Sequence, residues 1–163
     1  MRALTNAEKA AYFQRSYTAV DGLWFMKLEA ATDFATALKI DTAVWTVLPK
    51  IQARWLKQVC GVESGLEALR DCLTAKLKME DFGYRTRWQP GKKGLTVAIT
   101  RCPWYELIRK SNRQAIGGAV GQAICTAEYG VWAEEFGPGL RFELDGLMCQ
   151  GAPACRFRFS RTV

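Results

Sequence analysis

Apolar residues Phe13, Tyr17, Val20, Trp24 and Leu28 recur at steps of three and four, the period of one helix face. Thr5 stands three residues before Glu8, the spacing of a capping box, so the pattern predicts a long amphipathic helix over about 6–31. A second stripe, Val44, Leu48, Ile51 and Trp55, predicts a helix opened by Asp41 and kinked near Thr46, because Pro49 removes one backbone hydrogen bond. Ser64 and Glu67 repeat the capping-box spacing ahead of Leu66, Leu69 and Leu73, a third helix ending near Gly83.

From Tyr84 the period falls to two. Tyr84, Thr86 and Trp88 alternate with Arg85 and Arg87, and Leu95, Val97 and Ile99 alternate with Thr96 and Ala98. Gln-Pro-Gly-Lys-Lys-Gly between them is a turn, so a hairpin is expected, ending at Cys102-Pro103 where proline stops the ladder. A short helix through Leu107 and Ile108 follows, then a long one over about 115–136, then strands over 140–148 and 155–160. The fold class expected is α+β, a helical N-terminal half packed on a small antiparallel sheet with further helices. With no repeat or linker in evidence, residues 1–163 are expected to form a single domain, mainly helical over 1–80 and strand-containing over 81–163.

Composition is that of a globular chain, 49% apolar and 24% charged, and a domain of this length buries roughly two-thirds of its extended surface. No apolar run approaches a bilayer span and the N-terminus lacks a signal-peptide core, so a cytoplasmic protein without membrane contact is expected. The net charge of +7 is spread out, with no basic run beyond Lys92-Lys93, which does not suit nucleic acid. Expected partners are a small-molecule ligand or substrate, with a homodimer left open.

Six cysteines in a reducing compartment point to metal ligation or catalysis before disulfides. Histidine is absent, so a metal site must use sulfur and oxygen, and proton transfer falls to carboxylates, thiols, tyrosines or a metal-bound water. Cys149 and Cys155 flank a Gly/Pro turn between two strands, Cys102 ends a strand just before a helix, and Cys125 shares a helix face with Glu128. These four cysteines are the candidate metal ligands, for zinc or for an iron–sulfur cluster, with Glu128 and Cys102 as candidate catalytic groups. Arg109 and Tyr105 follow Cys102 closely and suit a small carboxylate ligand. Asp21 and Trp24 join the candidate substrate-binding residues, since Asp21-Gly22 breaks helix preference within the first helix, where Gly22 would let another helix approach. Cys60 and Cys72 are expected to be inert core residues without a thiol partner.

The segments Thr-Arg-Cys102-Pro-Trp-Tyr, Ile-Cys125-Thr-Ala-Glu128-Tyr and Gly151-Ala-Pro-Ala-Cys155-Arg-Phe-Arg-Phe resemble the L-2-amino-thiazoline-4-carboxylic acid hydrolase family. Tyr17-Thr-Ala-Val-Asp21-Gly22-Leu-Trp24-Phe and Asp41-Thr-Ala-Val-Trp45 are similar to a related bacterial and archaeal family of unknown function. The spacing of Cys125, Cys149 and Cys155 more weakly resembles the zinc-binding part of the 4-vinyl reductase domain. The first resemblance implies hydrolysis of a cyclic amidine or thiazoline. In one version Cys102, Cys125 and Cys155 hold a metal and Glu128 is the general base; in another Cys102 is the nucleophile. Two departures stand against it, since Glu128 replaces an aspartate and Cys149 adds a fourth thiol. That fourth thiol points to the alternative, a non-catalytic Cys₄ zinc or iron–sulfur module sensing a small ligand.

Overall fold

Asp33, Pro49 and Gly61 mark where the helices of the N-terminal half break. The computed structural model describes residues 2–162. Its contacts divide the chain into two units, one up to Asp41 and one from Thr42 onward. The division falls inside a helix, so composition carries no sign of it.

The first unit holds α1 (Asn6–Ala31) and most of α2 (Phe34–Val44). The capping box forms as its spacing predicts: the Glu8 amide donates to Thr5 Oγ1 at 3.2 Å, and the Thr5 amide donates to Glu8 Oε2 at 2.8 Å. Asp33, rather than Asp41, opens α2, its Oδ1 accepting from the Thr36 amide at 2.8 Å. A β-carbon on Gly22 would meet no atom within 4 Å, so the close helix approach expected for this glycine is not found.

In the second unit the expected kink is a full break. Pro49 occupies the first turn of α3 (Leu48–Cys60), where its missing amide hydrogen costs nothing, instead of interrupting a continuous helix. Gly61, at φ 64°, ends α3 in a left-handed cap that turns the chain toward α4 (Gly65–Met79). The second capping box does not form, because Glu67 pairs with Lys92 at 2.6 Å while Ser64 makes no capping bond.

Strands β1 (Gly83–Trp88) and β2 (Gly94–Arg101) are followed by α5 (Pro103–Lys110), α6 (Gln114–Phe136), β3 (Leu140–Asp145) and β4 (Cys155–Arg161). The sheet is antiparallel throughout, in the order β1-β2-β4-β3. Strand β3 stops three residues short of the expected end because Gly146 leaves the extended region at φ 78°. The alternation seen in sequence sets the layers. Leu95, Val97, Ile99, Phe157 and Phe159 join the core with Leu69, Leu73 and Leu77 of α4 and Tyr129, Trp132 and Phe136 of α6. Arg156 and Arg158, on the opposite face of β4, are exposed. Each large apolar side chain so buried contributes about 1.5–3 kcal/mol. The architecture is α+β, with the helices of this unit on the sheet's apolar face. Among the described residues no helix is long and apolar enough to cross a membrane.

Candidate functional site

All six cysteines are free thiols, and Cys102, Cys149 and Cys155 lie near Cys125 at one end of the sheet. Register explains the first approach: Cys155, at the start of β4, pairs with Ile99 on β2, three residues before Cys102. Cys102 is the residue preceding α5, and its sulfur accepts the Tyr105 amide at 3.5 Å in the position a capping oxygen would take. The Cys155 sulfur accepts the Met148 amide at 3.2 Å across the turn between β3 and β4.

Helix α6 brings in the other two sulfurs. Gly117, Gly121 and Cys125 are four residues apart and share a face, with Glu128 one turn further on. The turn carrying Cys149 lies on this small-residue face. A β-carbon on Gly121 would stand 2.6 Å from Cys149 Sγ, and one on Gly117 would stand 3.5 Å from Cys149 Cβ and 3.4 Å from the Tyr105 ring. The glycines thus make room for the Cys149 turn and for Tyr105.

Cys125 is the hub. Removal from water pushes its thiol well above the usual range, and Glu128, Cys102, Cys155 and Cys149 all lie near enough to raise it further by charge repulsion. Burial likewise pushes Cys102 up to about 12, against the favourable Tyr105 and Trp104 amides, and raises Cys149 and Cys155. As they stand, then, the four groups are neutral thiols. Among the described residues no three cysteine, aspartate or glutamate side chains stand as a ready cage for a metal ion.

The residue that the sequence reading missed is Lys76. Its side chain is 2% exposed, and its Nζ lies 2.6 Å from Glu128 Oε1 and 2.8 Å from Glu80 Oε2. The ammonium also sits over the rings of Phe82 and Tyr129, 5.5 and 5.9 Å from their centroids. Burial alone would lower its pKa, but Glu128 and Glu80 outweigh that and raise it, so Lys76 is a fixed cation and not an amine nucleophile. Glu80 and Glu128 thus share one buried ammonium, and Glu128 in turn lies near Cys125. The signal was present in the helix period: Lys76 follows Cys72 by four and Leu73 by three on the stripe that is buried.

Of the other candidates, Tyr105 packs on α6 while Arg109 is exposed on α5, its guanidinium making no ion pair among the described residues. Asp21 and Trp24 belong to α1 in the first unit, where Trp24 is 73% exposed. Cys72 is fully buried in the core, as expected, whereas Cys60 is exposed. The turn at Gly61, which folds α3 against α4, escaped the reading.

No curated protein matches this chain in sequence. The model of a family of unknown function, DUF6125, matches residues 7–153, nearly the whole of the architecture described above, and the chain belongs to that family.

Proposed function

We propose that the second unit is a thiolate metal-binding module in which Cys102, Cys125, Cys149 and Cys155 hold zinc or an iron–sulfur cluster. The observation that carries this reading is the gathering of four sulfurs from a strand end, a helix, a turn and a second strand around Cys125. Buried thiols resist ionising alone, but a bound cation reverses that preference and draws off their protons. The sulfurs of Cys102 and Cys155 now face backbone amides, so closing on a cation requires their side chains to turn. Four soft ligands without histidine suit zinc or an iron–sulfur cluster, and a closed Cys₄ set serves structural, redox or sensing roles.

Hydrolysis of a thiazoline or cyclic amidine is the second reading, favoured by the carboxylate of Glu128 beside Cys125 and Cys102. Here Lys76 would fix Glu128 in place, and Glu128 would take a proton from water or from Cys102. The nucleophilic version is the weaker one, because the Cys102 thiol is pushed up to about 12. Anaerobic purification followed by visible spectroscopy and an assay with 2-amino-thiazoline-4-carboxylate tests both readings. A coloured or zinc-loaded protein without turnover supports the module. Turnover that falls about 10²-fold or more in Glu128→Gln supports the hydrolase. A metal-free, inactive protein overturns both.

A further inference from the structure

Strand register decides what the sheet shows on the face turned away from the core. Arg85 on β1 and Arg156 on β4 both pair with Ala98 of β2, and Arg87 and Arg158 both pair with Thr96. Directly paired residues share a face, so two pairs of arginines flank a trough floored by Ala98 and Thr96. All four arginines are exposed. Neighbouring strands lie about 4.8 Å apart, which roots the two rows about 10 Å from each other, with about 6.8 Å between arginines within a row. Arg158 bonds Asp145 of β3 at 2.6 Å, whereas Arg85, Arg87 and Arg156 make no ion pair among the described residues. Beyond β4 the face turns acidic at Glu143 and Asp145, so the cationic part is the half over β1, β2 and β4. Residues 1–41 hold five Lys or Arg and five Asp or Glu, so the whole net charge of +7 belongs to the second unit. A charge that no run concentrates in sequence is thus concentrated by strand pairing.

We propose that this open face docks on double-stranded DNA through its phosphates, without reading base sequence. The expectation against nucleic acid rested on the scatter of basic residues along the chain, and the fold removes that scatter. Guanidinium groups suit phosphate, which they grip with paired N–H donors. Two rows of cations beside a trough match two rows of phosphates beside a groove. The B-form minor groove is about 6 Å wide, a gap that flexible arginines rooted about 10 Å apart can straddle. Other anionic partners fit less well. The outward positions of β1, β2 and β4 carry arginine, threonine, alanine and serine but no aromatic ring, so a single strand finds nothing on which to stack its bases. They carry no large apolar side chain to enter a lipid surface either. An extended acidic peptide would need a strand edge for its backbone, which the middle of a sheet face does not offer. The arginines lie on the face opposite the core, so this inference is independent of the sulfur chemistry.

Fluorescence anisotropy of the full chain with a labelled DNA duplex, in salt from about 50 to 200 mM, tests this. Three unpaired arginines on three phosphates give a slope of log affinity against log salt of about −3, the same for two duplexes of unrelated sequence. Arg85→Gln with Arg87→Gln removes two of those contacts from exposed positions. It is expected to weaken binding about tenfold or more at the lowest salt and to make the slope shallower by about 2. Lys78→Gln with Lys110→Gln removes the same charge from exposed positions on α4 and α5 and is expected to leave the slope unchanged. Thermal melts confirm that each variant is folded. Absence of duplex binding by wild type overturns the proposal. So does an equal loss in the two double variants, which would make the effect one of net charge alone. Tighter binding to the single strand, or binding to anionic lipid vesicles and not to the duplex, would give the face to another partner and equally overturn it.

Discussion

The sulfur of Cys149 lies 2.6 Å from the point where a β-carbon on Gly121 would stand, which makes the turn of one and the helix of the other a single fitted contact. Gly121→Ala therefore forces Cys149 away, whereas Gly130→Ala on the same helix meets nothing within 4 Å. Gly130→Ala is expected to be neutral or to stabilise by up to about 1 kcal/mol, as alanine does in a helix interior. Gly121→Ala is expected to lose about 1–3 kcal/mol and to weaken metal retention at the thiols. Thermal melts with metal analysis of both variants check this. Equal stability and metal content in the two would remove the contact from the account.

Lys76 is expected to be among the most sensitive positions in the chain. Lys76→Met takes the ammonium away from buried Glu128 and half-buried Glu80 and should cost about 3–5 kcal/mol, the scale for breaking a buried pair. Lys76→Met combined with Glu128→Gln should recover a substantial part of that loss, since one uncompensated carboxylate is gone. Denaturant unfolding of the single and double variants measures the coupling. Additive losses would mean that the two side chains act independently.

Acid should loosen the contact between α3 and the end of α6. The Arg54 guanidinium bonds both oxygens of Glu135, at 2.8 and 3.0 Å, and holds its carboxyl below the usual range. A carboxyl whose folded pKa is lowered adds stability above its unfolded value, near 4.3, and loses it as pH falls through the folded value. Arg54 is largely exposed, so solvent screens the pair and the part lost is small. Wild type should lose that increment between neutral pH and about pH 3, and Arg54→Met should not. Parallel pH profiles for the two proteins would show that the pair contributes nothing.

How far the sequence could be read depended on whether the signal was local. The α1 capping box, the β1–β2 hairpin and the alternation of Cys155, Phe157 and Phe159 are patterns of adjacent residues, and the structure reproduces them. Asp41 failed as a cap because Asp33 and the Pro49 break moved the helix limits, a choice the surrounding packing makes. Cys102, Cys149 and Cys155 could be nominated from their places at element ends or in a turn, and Cys125 from the helix face it shares with Glu128. The helix period puts Lys76 on the buried stripe of α4, but its partner Glu128 lies fifty-two positions away on another helix, a pairing no local pattern shows. The packing of α3 against α4 likewise depended on the handedness of one turn at Gly61.

Metal content per chain tests the central claim most directly. Protein purified anaerobically, reconstituted with zinc or with iron and sulfide, and freed of loose metal by gel filtration is measured by elemental analysis. Wild type and Cys60→Ser are expected to retain about one zinc or one cluster per chain, while Cys125→Ser and Cys155→Ser retain little. A wild-type chain that retains no metal under these conditions, or a folded Cys125→Ser that retains as much as wild type, would contradict a thiolate centre built around Cys125.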